Sequence, residues 1–158
     1  GGAFAAAGVA AAATLPQEAA AQVAPALARV EYPSNRLGNV ADLKPNEPLD
    51  VAYPDDNAPG VLLKLGKPVE GGAGPDEDIV GFTTVCPHKG FPLNYSADDR
   101  TLSCPGHYSR FDCEAGGQQI WGHATQNLPQ YVLRVDDKGD IYAEGLDELL
   151  YGRLSNVL

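Results

Sequence analysis

Cys86-Pro87-His88 and Cys104-Pro105-Gly106-His107 are two compact pairs, each setting one thiol close to one imidazole, with fifteen residues between His88 and Cys104. Two thiolates and two imidazoles suit a zinc ion as well as an iron–sulfur cluster. The spacing speaks against zinc. A zinc finger of that composition groups its two Cys together and its two His together, whereas here each short loop contributes one of each. A two-iron cluster suits the alternation, since one loop can then reach a thiolate-bound inner iron with its Cys and an outer iron with the His two or three residues later. Both loops carry turn residues, Pro87, Gly90 and Pro92 in the first and Pro105 and Gly106 in the second, so both can fold closely around a small inorganic group. A framework of disulfides is a poor account of the cysteines, because three is an odd number. The third, Cys113, reads as a small buried residue.

Positioning two such loops calls for a rigid frame, and the chain predicts one made of strands. Short alternating stretches at Leu49–Tyr53, Gly60–Leu65, Asp78–Val85, Arg100–Ser103, Gln119–Trp121, Tyr131–Val135 and Asp140–Ala143 are each bounded by turn residues. With 18 Gly and 13 Pro and few helical periods, they favour an all-β build rich in ordered loops. Trp121, on a predicted strand, is expected in the core. The run Asp136-Asp137-Lys138-Gly139-Asp140 reads as a hairpin turn with Gly139 at positive φ. Val30 to Pro48, broken by Pro33, Gly38, Asn39, Pro45 and Pro48, reads as a connecting segment, and Gly145 to Leu150 as a short helical turn. The Gly-rich stretch from Glu70 to Asp76 lacks the Lys-Ser/Thr and the strand-to-helix setting of a phosphate cradle and is expected to be a plain connection.

Length and charge bound the function. At 158 residues the chain fits one domain with a real core, and 44% hydrophobic content argues against disorder. Twenty-one acidic against eleven basic residues give a net charge of -10. That excess repels nucleic acid and offers no footprint for anionic membranes, while it could steer a basic partner such as a cytochrome. At the amino end, Gly1 to Ala13 is an uncharged Gly/Ala-rich apolar run. It is shorter than the roughly 20 residues of a membrane-spanning helix, so no span is expected. Its length suits the apolar region of an export signal, with Ala19-Ala20-Ala21 as a small-residue cleavage site, and its mild hydrophobicity resembles a twin-arginine signal. Export to the periplasm, with the segment retained as a helical tail packed on a partner subunit, is the expectation.

The pattern C-x-H, then C-x-x-H after fifteen residues, then Ser109 and an aromatic at Phe111, resembles the Rieske family. The resemblance implies an antiparallel β-sandwich or barrel over residues 31–158, with a small cluster-binding subdomain inserted at about 82–128 and the export-like segment at 1–30. It implies a Rieske-type [2Fe-2S] cluster with Cys86 and Cys104 on one iron and His88 and His107 on the other. No catalytic residue is implied, only electron transfer. In the family's cytochrome bc members a disulfide ties the two loops at the places held here by Phe91 and Gly106, so that bridge cannot form. Ser109 matches the serine that donates a hydrogen bond to a cluster sulfide in high-potential members. At Phe111, high-potential members have a Tyr whose hydroxyl is missing here, which implies an intermediate potential. The run from Gly122 to Leu128 occupies the place of the loop that covers the cluster; His123, next to it, is expected to be a surface or hydrogen-bonded residue.

Within that family the phrases CPHKGFPLNY, CPGHYSRFD and WGHATQNLPQYVLRV, the missing disulfide and the export-like start are similar to the small subunits of arsenite oxidases. That implies a large molybdopterin subunit as partner, which performs the arsenite chemistry, and a soluble cytochrome c or blue-copper protein as acceptor. A stand-alone Rieske ferredoxin serving an oxygenase, and a zinc-binding β module without redox activity, are the alternatives.

Overall fold

The computed structural model describes residues 30–158, so the export-like segment and its expected helical form lie outside the described residues. Ten strands run in order: β1 (Asn35–Asn39), β2 (Leu49–Ala52), β3 (Pro59–Lys64), β4 (Ile79–Thr83), β5 (Asn94–Ser96), β6 (Thr101–Ser103), β7 (Arg110–Asp112), β8 (Gln118–Trp121), β9 (Tyr131–Val135) and β10 (Asp140–Leu146). They form three antiparallel sheets, of order β1-β10-β9, β2-β3-β4 and β5-β6-β7-β8. The only helix among the described residues is a 3-10 turn at Val40–Asp42, so the all-β expectation holds.

The first two sheets make a base. β4 is buried at all five positions, as expected of an apolar run covered on both faces. Its Gly81 and the Gly60 of β3 leave room for Tyr131, whose ring crosses both strands: a Cβ at Gly60 would fall 1.7 Å from the Tyr131 hydroxyl oxygen, and one at Gly81 2.6 Å from Cδ2. The β9–β10 hairpin closes as the sequence predicts, with Gly139 at φ +81 and the Asp136 carboxylate accepting from the backbone N–H groups of Lys138 and Asp140, both at 2.9 Å.

The four-stranded sheet is inserted between β4 and β9 and carries the two motifs. It does not own a separate core. Leu102, Phe111, Cys113 and Leu128 pack in one cluster with Val61, Leu63, Val80 and Phe82 of the base, so the base fixes where the inserted sheet stands.

Four expectations need correction. The segment from Val30 to Pro48 is more than a connection: it holds β1, which pairs with β10 across a bulge between Arg36 and Gly38, and the 3-10 turn, capped by Asn39 and Asp42. β5 and β7 were not expected as strands, because three residues are too few to show a period. No helical turn forms at Gly145 to Leu150; Gly145 and Leu146 complete β10, which shifts register before Gly145, and the following residues bend. Trp121 ends β8, an edge strand, and is 67% exposed rather than core.

Candidate metal centre

The two motifs fold into loops of one design. In the first, the Cys86 N–H donates to the Phe91 carbonyl and the Cys86 carbonyl accepts from the Gly90 N–H, both at 2.8 Å. In the second, the Cys104 N–H donates to the Ser109 carbonyl at 2.8 Å and the Cys104 carbonyl accepts from the Tyr108 N–H at 3.1 Å. The fifth residue of each loop is left-handed, Gly90 at φ +72 and Tyr108 at φ +62. Such a turn throws the Cys inward and brings the nearby His back toward the loop tip. The His sits one position later in the second loop, so the two imidazoles meet without the loops being identical.

The sulfurs and the rings have opposite surroundings. Cys86 and Cys104 are buried, at 0% and 2% exposure, and belong to the shared core. Burial pushes the Cys86 thiol up and the neighbouring Cys104 thiol adds to this, while the backbone N–H groups of His88 and Lys89, aimed at its sulfur, oppose the shift. His88 and His107 lie at the tip with ring centroids 4.8 Å apart and planes at 78°. His88 is held below its ordinary pKa by desolvation first and then by the charges of His107, Lys89 and His123, a direction that favours the neutral form able to ligate.

Two observations test whether these residues suit a bound inorganic cluster. Among the described residues the His88 Nδ1 is buried with no hydrogen-bond partner, a costly arrangement that a bound metal would relieve. The donors stand as two pairs, Cys86 beside Cys104 and His88 beside His107, whereas a structural zinc draws four onto one point. A binuclear cluster divides its protein ligands two and two. The donor set fits it.

Around the tip, Phe91 covers Gly106, where an added Cβ would lie 3.0 Å from the ring, so an aromatic plate rests on glycine at the two places where a disulfide would stand. Ser109 is fully buried beside Cys104, and its hydroxyl oxygen accepts from the backbone N–H groups of His123 at 3.1 Å and Ala124 at 3.0 Å. Phe111 is fully buried in the shared core. Cys113 is also buried, its thiol pushed up to about 12 chiefly by desolvation. Beside Cys104 a cleft of about 480 Å³ is lined by Ser103, Cys104, Tyr108, Arg110 and Trp121.

The structure brings the four residues singled out from the sequence into two pairs, Cys86 with Cys104 and His88 with His107. His123 is exposed, as expected of a surface His, yet its ring lies 5.9 Å from that of His88 and 6.3 Å from that of His107, a third imidazole at the tip. Sequence reasoning missed two supports. Tyr151 packs on Gly90, where a Cβ would meet its ring at 2.5 Å, and the Gln126 side chain donates to the Leu149 carbonyl at 2.9 Å, so the carboxyl-terminal segment braces the first and third loops. No short motif marks either contact, because each joins residues far apart in sequence.

A β frame that buries two thiols under a pair of near-surface imidazoles defines an iron–sulfur protein of the mixed-ligand kind. The chain belongs to the Rieske [2Fe-2S] domain family, whose model matches residues 34–132, and its cofactor is a Rieske-type [2Fe-2S] cluster. It is 44% identical over 131 residues to the iodate reductase subunit IdrB of Denitromonas iodatirespirans, covering 81% of this chain and 70% of that protein. Identity is also 44% over 135 residues to the IdrB subunit of Pseudomonas sp. (strain SCT), covering 84% and 69%. The soluble domain of Rieske protein II (soxF) from Sulfolobus acidocaldarius has the same fold, with a TM-score of 0.69 at 24% identity over 77% of this chain and 82% of that one. Membership of this family sets the zinc module aside.

Proposed function

We propose that Cys86 and Cys104 ligate one iron, that His88 and His107 ligate the other, and that the chain is the electron-transfer subunit of a molybdopterin oxidoreductase. The observation that carries the ligand assignment is the convergence of two like-built loops that bury both sulfurs and leave the His88 Nδ1 without a partner among the described residues. Bound there, the cluster supplies a one-electron carrier whose potential is raised by neutral imidazoles in place of two thiolates. The residues do the rest. The N–H groups behind Cys86 favour charge on its sulfur, the apolar core keeps water from the thiolate side, and His88 and His107 bring the outer edge to the surface, where an electron can cross to another protein.

Ser109 donates to a cluster sulfide in this reading, and Phe111 offers no second hydroxyl, so the potential lies between those of oxygenase ferredoxins and of cytochrome bc proteins. The likeness to reductase subunits favours a subunit over a stand-alone ferredoxin. For the catalytic partner, the sequence phrases support arsenite oxidase, with a cytochrome c or blue-copper protein as acceptor. The name carried by the relatives supports iodate as the substrate instead, with electrons flowing inward. The net charge of -10 suits a basic cytochrome in either direction. The apolar Gly1 to Ala13 run supports periplasmic export by a twin-arginine route; among the described residues no helix is long and apolar enough to cross a membrane.

Purification of the native complex tests this. Molybdenum in a co-purifying large subunit, with arsenite reducing the Rieske centre, supports the arsenite reading. Iodate oxidising the pre-reduced centre supports the other, and a chain that purifies alone and is reduced by an oxygenase reductase overturns both.

A further inference from the structure

The loop that follows β8 meets Ser109 through a glycine. Gly122 has φ +94, and a Cβ there would lie 2.4 Å from the Ser109 Cα, 2.6 Å from its nitrogen and 2.9 Å from its hydroxyl oxygen. Both features exclude any other residue without movement of backbone. The close approach has a specific consequence: it lets the next two residues, His123 and Ala124, point their N–H groups at one atom, the Ser109 hydroxyl oxygen. The Gln119 side chain holds the same peptide from its other side, its Nε2 donating to the Gly122 carbonyl at 3.2 Å. Carbonyl 122 and N–H 123 belong to one planar unit, so Gln119 and Ser109 clamp that plane between them.

A serine hydroxyl has two acceptor lone pairs and one proton. Here both lone pairs are filled by backbone N–H groups of one loop. The proton must then leave on the side away from that loop, and each N–H donated to the oxygen polarises the O–H bond and strengthens it as a donor. We propose that Gly122 and Gln119 are positioning residues for electron transfer: through the 122–124 backbone they saturate the acceptor sites of Ser109 and so commit its only proton to the cluster. This rests on the reading of Ser109 as a donor to a cluster sulfide. A hydroxyl so fixed favours the reduced state, because the donor is already oriented when the extra negative charge arrives.

The test is a set of midpoint potentials on the holoprotein, with iron content and circular dichroism recorded for each variant. Ser109→Ala is expected to lower the reduced-to-oxidised ratio at a fixed applied potential by about tenfold or more, the worth of one hydrogen bond to a charged group. Gly122→Ala should lower it by a similar factor and Gln119→Ala by a smaller one, and neither should lower it further in the Ser109→Ala background. Should Gly122→Ala fail to load iron, the Gln119→Ala pair alone still decides, since its side chain is partly exposed and lies outside the shared core. Equal shifts from Gln119→Ala with and without Ser109 would overturn the positioning role while leaving Ser109 as a donor. An unchanged potential in Ser109→Ala would overturn the donor reading itself, and this inference with it.

Discussion

The two halves of the centre are built on different principles. Cys86 and Cys104 sit in the apolar core shared by the base and the inserted sheet, held by side chains from β3, β4, β6 and β7. His88 and His107, only two and three residues further on, stand at the tip of turns whose fifth residue is left-handed, among the exposed aromatics Phe91 and Tyr108. On the proposed ligand assignment, the thiolate half is a matter of packing and the imidazole half a matter of backbone geometry. Anchoring a cluster by its buried half lets the other half remain near solvent, where an electron can leave without the fold opening.

The comparison breaks most completely at the sulfurs. Cys104→Ser is expected to abolish the centre, with iron falling from two per chain to near none by metal analysis, because no other residue can replace a buried thiolate. Ser109→Ala should keep the iron but lower the potential by about 60–130 mV in voltammetry, from about 1.5–3 kcal/mol for a hydrogen bond to charge at about 59 mV per tenfold. Phe111→Tyr sharpens the comparison from the buried side: a hydroxyl brought within reach of a sulfur should raise the potential by about 60 mV, the smaller net worth of a single added bond in a packed core.

Acid should reach the base without first touching the sulfurs. Arg153 holds Asp55 and Arg134 holds Glu144, each carboxylate lying below its ordinary pKa chiefly through the arginine hydrogen bond. A depressed carboxylate stabilises the fold above its unfolded pKa and loses that contribution as pH falls through the folded value. The melting temperature should therefore be level from neutral pH to about 5 and fall below about 4, near the ordinary carboxylate range. The smallest effect concerns Cys113. With its thiol pushed up to about 12 by burial, it should resist alkylation at neutral pH in the folded holoprotein and react only on unfolding, as mass spectrometry would read.

The candidate centre was legible from sequence because its proposed ligands lie in two short, compositionally odd loops, and the longer strands because their alternation spans four or more residues. What stayed hidden was relational. β1 is masked by Pro33, Gly38 and Asn39, and it exists because β10 offers it an edge. β7 is three residues just beyond the second motif and shows no period of its own. Trp121 carries the composition of a core residue, yet the topology makes β8 an edge strand. Gly122 resembles any turn glycine until its contact with Ser109 is seen, and the Tyr151 contact with Gly90 joins residues sixty-one positions apart.

The most direct test of the centre is pulsed EPR on the dithionite-reduced protein, with histidine nitrogens isotopically labelled and iron and zinc measured on the same sample. The account predicts two irons per chain and a reduced-state signal coupled to two imidazole nitrogens, with one coupling lost in His107→Ala. A protein with one zinc per chain and no signal, or a reduced cluster with no nitrogen coupling, would contradict it.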